Sequence, residues 1–376
     1  MRTDGSETKP MDRQESAEGR PMLSDLRRQA VCLAGLMARG EEFARQFHEL
    51  GPKGTGRIYA FGCGDGWFAA RAVADYARGS LGLPFSAFSA LEMLAYAVPA
   101  LGPDDLVIAI SMSGSADRTN EAAEAARAQG ATVLALTNGS GGALAAIAHA
   151  KLSLDVSDLA PFLTGTTKYT ATVLGLLLFL SGGVTADLTA LVASLPNLVP
   201  RAEDFARAAI AALGDRPVTG VRILSAGANM ATADYGTAKF IKLVTLPIWS
   251  DDIEEFAHRQ FWSCPASDLV IYIAANPAVA RCAAGSAAAL GSMGMRTIAI
   301  DTQDAPVPTA MTRLTLPALG EALSPLAAAI PVQCLAYFLA RALGGTPDES
   351  QDESDPARFY ASQLLARRGE LAGTAT

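Results

Sequence analysis

The chain has 376 residues, of which 50% are hydrophobic and 18% charged, with a formal net charge of −8. This length predicts roughly two domains, and the apolar content lets each form its own core. The negative charge and the lack of a basic cluster exclude a protein that binds nucleic acid through a general positive field. An anionic ligand must therefore be held by local geometry.

The N-terminal residues 1–20 are polar and lack the apolar stretch of a signal peptide, so we expect a disordered leader. The most apolar segment, residues 170–184, is too short to cross a bilayer and predicts a buried helix. The five cysteines have no metal-like or disulfide-framework spacing, and we expect them to be buried in a reducing compartment. These features predict a cytoplasmic protein without a metal or cofactor.

Strands and helices alternate along the first half of the chain. The stretch "GRIYAFGCGDGWFAARAVADYA" predicts a strand, a glycine-rich turn and a helix. The stretches "DDLVIAIS", "RTNEAAEAARAQG" and "ATVLALT" follow as strand, helix and strand. Such alternation is typical of a parallel sheet with helices on both faces.

The second half repeats this pattern. The stretches "VRILSAGANMATADYG", "SDLVIYIAAN" and "GMRTIAID" parallel the three strand segments of the first half, with Gly227 in the place of Gly62. We therefore predict two copies of one α/β unit, in residues 21–200 and 201–376, joined by a helical link.

One loop differs between the two copies. Ser111, Met112, Ser113 and Gly114, called here the SMSG loop, end a buried strand just before a predicted helix. Hydroxyls and a glycine at a helix N-terminus suit an anion, although an ordinary capped turn has the same letters. The second copy has Ala-Ala-Asn-Pro at residues 274–277. This difference predicts a ligand site in the first half only.

The glycine-rich turn of the first half permits two nucleotide-binding interpretations. A dinucleotide fingerprint fails because Trp67 occupies the position of its third glycine. A methyltransferase-like loop fits Gly62, Gly64 and Gly66 better. It explains neither the internal repeat nor the SMSG loop, so we keep it as an alternative.

The glycine-rich turn, the SMSG loop, "LTGTTKYTAT" and "SDDIEEFAHRQFW" occur in an order and spacing that resemble the sugar isomerase (SIS) domain family. The arrangement is similar to double-SIS proteins, namely the isomerase half of glucosamine-6-phosphate synthase, fructosamine deglycases and amino-sugar-phosphate deaminases. The resemblance implies two SIS domains, each a parallel five-stranded sheet in a three-layer αβα, flavodoxin-like arrangement. It also implies an isomerase or deglycase/deaminase that opens a sugar ring and forms an enediol-type intermediate.

The resemblance assigns phosphate or sugar binding to one group of residues in the first half. The group comprises Gly64, Gly66, Ser111, Met112, Ser113, Gly114, Thr166, Thr167 and Lys168. Two positions depart from the family, since Gly66 stands in place of a serine and Ala116 in place of a threonine. The departures predict a weakened anion site, or one shaped for something other than a plain phosphate ester.

The resemblance assigns the chemistry to the second half. His258 falls on the histidine that opens the sugar ring from the neighbouring subunit, which implies a homodimer with a shared active site. Lys242 stands where the family has its catalytic Glu, one helix before His258. Glu255 and Glu254 remain as local bases, although a solvated acidic run would have the same letters. The other histidines, His48 and His149, fall in helical patterns.

Three functions remain open at this stage. The first is an enzyme that processes an anionic sugar derivative, with His258 and either a relocated carboxylate or Lys242. The second is a non-catalytic protein that binds sugar phosphates. The third is a methyltransferase that uses S-adenosylmethionine. None of them involves nucleic acid or a membrane as a partner.

Overall fold

The computed structural model describes residues 19–54, 56–139, 142–160 and 164–349. The leader prediction falls mostly on residues 1–18, which lie outside the described residues, as does the tail after residue 349. The described chain contains two parallel five-stranded sheets with helices on both faces. This is the predicted fold class.

The first half contains strands β1 to β5 and helices α1 to α8. The strands are β1 (Ile58–Gly62), β2 (Phe85–Ser89), β3 (Leu106–Ile110), β4 (Thr132–Thr137) and β5 (Ala150–Ser153). The helices are α1 (Pro21–Arg27), α2 (Gln29–Met37), α3 (Gly40–Leu50), α4 (Asp65–Ala72), α5 (Ala90–Glu92), α6 (Asp117–Ala128), α7 (Ala143–Ile147) and α8 (Thr167–Leu180). The sheet order is β2-β1-β3-β4-β5.

The second half follows the long helix α9 (Ala186–Ala211). Its strands are β6 (Val221–Ser225), β7 (Ile248–Asp252), β8 (Leu269–Ala274), β9 (Arg296–Asp301) and β10 (Thr312–Thr315). Its helices are α10 (Met230–Leu243), α11 (Ile253–His258), α12 (Pro277–Ser292) and α13 (Ser324–Ala342). The order β7-β6-β8-β9-β10 repeats the topology of the first sheet.

A central core is shared by the two halves. In β1, Ile58 and Ala60 face this core, while Tyr59 and Phe61 face a smaller cluster on the outer side of the first sheet. A third cluster lies on the outer side of the second sheet. Because successive side chains of a strand point to opposite faces, strands buried on both sides require the continuous apolar runs seen in the sequence.

Helix α13 runs through the middle of this core. The segment Glu321–Ala342 is long and apolar enough to span a membrane, but 94% of its apolar window is buried inside the protein. It is the one such segment in the described part of the chain. The packing of α13 against α9 and α10 accounts for its apolar composition. The buried helix α8 is apolar because it packs against α2, α3 and α4.

Three details differ from the sequence predictions. The strand register matches Gly227 to Gly64 instead of Gly62, because β1 begins at Ile58 and β6 at Val221. Only Cys334 of the five cysteines is buried, while Cys63 is exposed and the other three are half-buried, so the expectation of buried cysteines is wrong for most of them. His149 lies in a bend before β5 instead of a helix, where its Nδ1 accepts a hydrogen bond from Val133 N–H at 2.9 Å.

Candidate functional site

The carboxyl ends of β1 and β3 lie side by side in the first sheet, with Gly62 paired to Ile110. The chain leaves β1 toward β2 on one side and reaches β3 on the other, so a crevice opens between the loops that follow β1 and β3. Open α/β sheets bind ligands at such a switch point. The fold thus brings together two predicted parts of the site, the glycine-rich turn (residues 62–66, called here the Gly turn) and the SMSG loop.

The glycines of the turn are required by close packing. A Cβ on Gly62 would lie 2.7 Å from the carbonyl oxygen of Ile110, and one on Gly66 would lie 2.9 Å from the same oxygen. Gly64 has a φ of 52°, which favours glycine. A serine at position 66 would therefore force the turn away from β3. The packing thus favours glycine at this position, where the resembled family has a serine.

Some backbone N–H groups in and next to the SMSG loop donate hydrogen bonds within the loop itself. The N–H of Gly114 donates to the carbonyl oxygen of Ser111 at 3.1 Å, and the N–H of Ser115 donates to Ser113 Oγ at 3.2 Å. Ser111 is 7% exposed, whereas Ser113 is exposed at the crevice edge. Met112 packs toward helix α8, with its Sδ 3.3 Å from Thr172 Oγ1. The Ser113 hydroxyl is the side-chain donor that the loop presents to solvent.

The corresponding loop of the second half is built differently. Asn276, which matches Ser113 by strand register, caps α12 and donates from Nδ2 to Glu321 Oε2 at 2.7 Å. The other oxygen of Glu321 lies 2.9 Å from where a Cβ of Gly227 would stand. A carboxylate of the protein itself thus lies at the glycine turn of the second sheet.

A carboxylate of the protein also lies at the N-terminus of helix α8. Asp25 of α1 accepts hydrogen bonds from the N–H of Thr166 at 3.1 Å, from the N–H of Thr167 at 2.9 Å and from the Thr166 hydroxyl. Thr166 and Thr167 are both fully buried. In this structure Asp25 takes the place that the sequence analysis assigned to the substrate anion. Lys168 is ion-paired with Asp158.

One lysine of the second half reaches the Gly turn. Lys239 of α10 is 1% exposed, and its Nζ lies 2.7 Å from Asp65 Oδ2 at the first residue of α4. Burial of the ammonium lowers the pKa of Lys239 from its ordinary value, against the attraction of Asp65. Beside this pair the rings of Tyr169 and Tyr235 stack at a centroid distance of 3.5 Å. The candidate site is therefore bounded by both halves of the chain.

Residues 53–181 match the SIS domain family. This part of the chain is a SIS domain. A search of curated proteins finds no match.

Solved structures with the same fold cover nearly the whole chain. Tagatose-6-phosphate ketose/aldose isomerase from Escherichia coli is 19% identical, with a TM-score of 0.75 over 90% of this chain and 97% of its own. The C-terminal domain of glucosamine-fructose-6-phosphate aminotransferase from Francisella tularensis is 15% identical, with a TM-score of 0.70 over 88% and 99%. Glucosamine-6-phosphate deaminase from Thermotoga maritima is 17% identical, with a TM-score of 0.70 over 87% and 96%.

The predicted catalytic residues of the second half lie apart from the crevice of the SIS domain. His258 ends α11 with its side chain 66% exposed, and its Nε2 is 3.9 Å from Glu254 Oε1. Glu255 Oε2 is 4.0 Å from Arg259 Nε. Among the described residues, no hydrogen bond or ion pair joins His258, Glu254 or Glu255 to the SIS domain. One chain alone therefore does not bring His258 together with the SMSG loop.

Lys242 lies three residues after Lys239 on α10, and it is exposed. The two ammonium groups are close enough for Lys242 to lower the pKa of Lys239 further. Lys242 is thus an exposed residue of the same helix that supplies Lys239.

A cavity of about 330 Å³ is lined by residues of both halves of the chain. Its lining includes Trp67, Arg71, Glu92 and Gly227. The N–H of Ser89 donates to Glu92 Oε2 at 2.9 Å, and hydrogen bonding with Ser89 holds the pKa of Glu92 below its usual value. Arg71 is ion-paired with Asp234 of α10. The charged groups of this cavity therefore already have protein partners.

Sequence reasoning missed Asp25 and Asp65. Asp65 lies within the Gly turn, between Gly64 and Gly66, and opens α4, so its position beside the crevice could have been predicted from the motif. The contact of Asp25 with Thr166 joins residues 141 positions apart, and no local pattern signals it.

We expect the Asp25→Asn substitution to lower the free energy of unfolding at pH 7 by about 2 kcal/mol, the scale of hydrogen bonds to a charged group. Burial opposes ionisation of Asp25, but the hydrogen bonds from Thr166 and Thr167 and the Arg28 guanidinium outweigh it and hold the pKa of Asp25 below the ordinary 3.8. Its stabilisation is thus present above about pH 3.8 and disappears as pH falls through the lower folded-state pKa.

Urea unfolding of both proteins between pH 7 and pH 2 measures this difference. The matched control is Asp75→Asn, which removes an exposed ion pair with Arg78 and should cost less than about 1 kcal/mol. A difference between native protein and Asp25→Asn that stays constant across this pH range would contradict the assignment.

Proposed function

We propose that the chain is an enzyme that processes a carbohydrate derivative, as an isomerase or a deglycase/deaminase, through ring opening and an enediol-type intermediate. The observation that carries the proposal is the exposed Ser113 hydroxyl in the switch-point crevice of a SIS domain. Three structures of the same fold bear the names of an isomerase, an aminotransferase domain and a deaminase. These names support a reaction that moves protons and releases or retains an amine next to a sugar carbonyl.

The ligand is proposed to be an anionic sugar derivative bound between the Gly turn and the SMSG loop. Ser111, Ser113 and Gly114 provide its contacts on one side, and Gly64 and Gly66 let it approach the backbone. Lys168 is proposed to add a positive charge at the edge of the site. Thr166 and Thr167 support it by starting α8 against Asp25.

His258 is proposed to open the sugar ring as a general acid and base, acting in the site of a second copy of the chain. Its exposure supports this role, because an imidazole facing solvent can reach a neighbouring subunit. Trp262 is 80% exposed and Trp249 is 46% exposed on the same half. Large exposed aromatic residues are typical of an interaction surface, which favours a homodimer.

Proton transfer between the sugar carbons needs a base, and the family's Glu position holds Lys242. Glu255 or Glu254 of the neighbouring subunit is proposed to act as this base, together with His258. The Lys242 ammonium would stabilise a carboxylate or an enediolate oxygen. This favours a substrate with an extra negative group, such as a conjugate of a sugar with an amino acid, in the cytoplasm.

Replacing Ser113 by Ala should weaken sugar binding by about 1–2 kcal/mol, the usual contribution of a hydrogen bond to a charged group. A thermal-shift panel of hexose phosphates and fructosamine conjugates identifies a ligand, because binding to the native state raises apparent stability. Calorimetry then gives its Kd for native protein and variant. The matched control is Asn276→Ala, at the same register position of the second half. If Ser113→Ala loses no more affinity for the sugar than Asn276→Ala does, the site lies elsewhere.

Replacing His258 by Ala should lower turnover by roughly two to four orders of magnitude, as loss of a general acid–base does. His48→Ala, on helix α3, is the control. Unchanged turnover in His258→Ala, with sugar binding retained, would favour the non-catalytic binding protein.

A shared site also makes mixed dimers informative. At a substrate concentration well below KM, where weak binding leaves the Ser113→Ala sites little activity, co-expressed His258→Ala and Ser113→Ala chains should show about a quarter of native activity, because half of the dimers are hybrids with one intact site each. Full activity in a monomer by light scattering would contradict the shared site.

A further inference from the structure

We propose that Arg259 and Asp251 are positioning residues, which hold His258 in the place from which it reaches the neighbouring subunit. The inference rests on the proposed function, because it concerns the same histidine, and it adds two residues that act through that histidine. Helix α11 has only six residues and ends at His258. Such a short helix is not stable by itself, so contacts outside the helix must fix where the imidazole lies.

The contact between the His258 side chain and Glu254 is a weak one. The Nε2 of His258 lies 3.9 Å from Glu254 Oε1, and the two side chains are 66% and 73% exposed. An ion pair between side chains this exposed contributes little. The position of the imidazole therefore depends on how the backbone of α11 is held.

The start of α11 is held by a cap and by apolar packing. Asp252 accepts a hydrogen bond from the N–H of Glu254 at 2.8 Å. Ile253 and Phe256 are 4% and 2% exposed and belong to the cluster on the outer side of the second sheet. These contacts fix the first turn of the helix, whereas the end that carries His258 needs an anchor of its own.

Arg259 provides this anchor. It follows His258 directly, and its guanidinium is ion-paired with Asp251 of β7. The Asp251 side chain is 1% exposed, and its Oδ2 is buried without a hydrogen-bond partner in the described part of the chain. Separation of the pair would leave a buried, unpaired charge, which is strongly unfavourable. The pair thus joins the end of α11 to the strand from which the helix starts.

Gln260 makes a second contact with the same strand. Its Nε2 donates to the carbonyl oxygen of Ser250 at 3.0 Å, so the two residues after His258 are joined to two consecutive residues of β7. Ser250 Oγ donates to Asp234 Oδ1 at 2.6 Å, and Asp234 is ion-paired with Arg71 of α4. The strand that anchors His258 is therefore itself connected to α10 and to a helix of the SIS domain.

A general acid–base must lie within hydrogen-bond distance of the group to which it transfers a proton. A displacement of about 1 Å can lower the rate roughly a hundredfold. The sugar is proposed to bind in the SIS domain of the other copy, so its affinity does not depend on this ion pair. Loss of the pair should therefore lower kcat and leave KM unchanged, as for an interaction that is made only in the transition state.

The test measures, by NMR in D2O, the exchange of a C1 proton of the sugar for deuterium, with fructose 6-phosphate and deoxyfructosylglycine as probes. This exchange requires ring opening and proton removal, which are the proposed steps. Arg259→Gln should lower kcat about tenfold or more and change KM less than about twofold. Arg259→Lys keeps a charge for Asp251 and should be at least about threefold faster than Arg259→Gln.

Arg313→Gln is the matched control, because it also separates a partly exposed arginine from a buried aspartate of the second sheet, Asp301. It should leave kcat and KM within about twofold of the native values. The double variant Asp251→Asn/Arg259→Gln leaves no buried charge, so it tests the inference even where Arg259→Gln fails to fold by its thermal melt. It should still lower kcat about fivefold or more.

A native kcat in a folded Arg259→Gln protein or in the double variant, together with a large loss in His258→Ala, would overturn the inference and leave the proposed function intact. An equal loss of kcat in Arg313→Gln would also overturn it, because the ion pair of Arg259 would then serve stability alone. If His258→Ala exchanges protons as fast as the native protein, the proposed function fails and the inference fails with it. The same holds if the native protein exchanges neither probe nor any other sugar of the thermal-shift panel.

Discussion

This structure depends on one constraint: the free N–H groups at the helix N-termini need hydrogen-bond acceptors. In a parallel sheet these helix N-termini gather at the carboxyl edge of the strands, and each leaves donors without partners in the helix. The chain meets some of them with its own side chains. Asp25 serves α8, Asp348 accepts from the N–H groups at the start of α1, and Asp252 caps α11. What remains open at the edge of the first sheet then defines where a ligand can bind.

The two halves share one topology but differ in how this edge is filled. In the second half, the Glu321 carboxylate and Asn276 occupy the turn and loop that correspond to the Gly turn and SMSG loop. In the first half, the crevice holds Asp65 and the exposed Ser113. The halves are tied together next to this crevice by the ion pair of Lys239 and Asp65 and by the stacked rings of Tyr169 and Tyr235. Substitutions on α10 should therefore affect the first-half site through direct contact.

Much of the fold could be predicted from the sequence because parallel strands buried on both faces are continuous apolar runs, such as "LVIAI" in β3. The glycines of the Gly turn and the hydroxyls of the SMSG loop are also local signals, and they located the crevice. Other contacts depend on distant residues. The partner of Thr166 lies in α1, and that of Lys239 lies in α4. A pattern within one segment cannot reveal such partners, so the donors of Thr166 and Thr167 were assigned to a ligand instead of Asp25.

The central claim is that one sugar derivative binds per chain, in the crevice between the Gly turn and the SMSG loop. A crystal structure of the protein soaked with a sugar derivative that binds in the thermal-shift panel tests this claim most directly. The account predicts density at the carboxyl ends of β1 and β3, within hydrogen-bond distance of the Ser113 hydroxyl. Density at Gly227 of the second sheet, or in the cavity beside Trp67 and Arg71, with an empty first-sheet crevice, would contradict it.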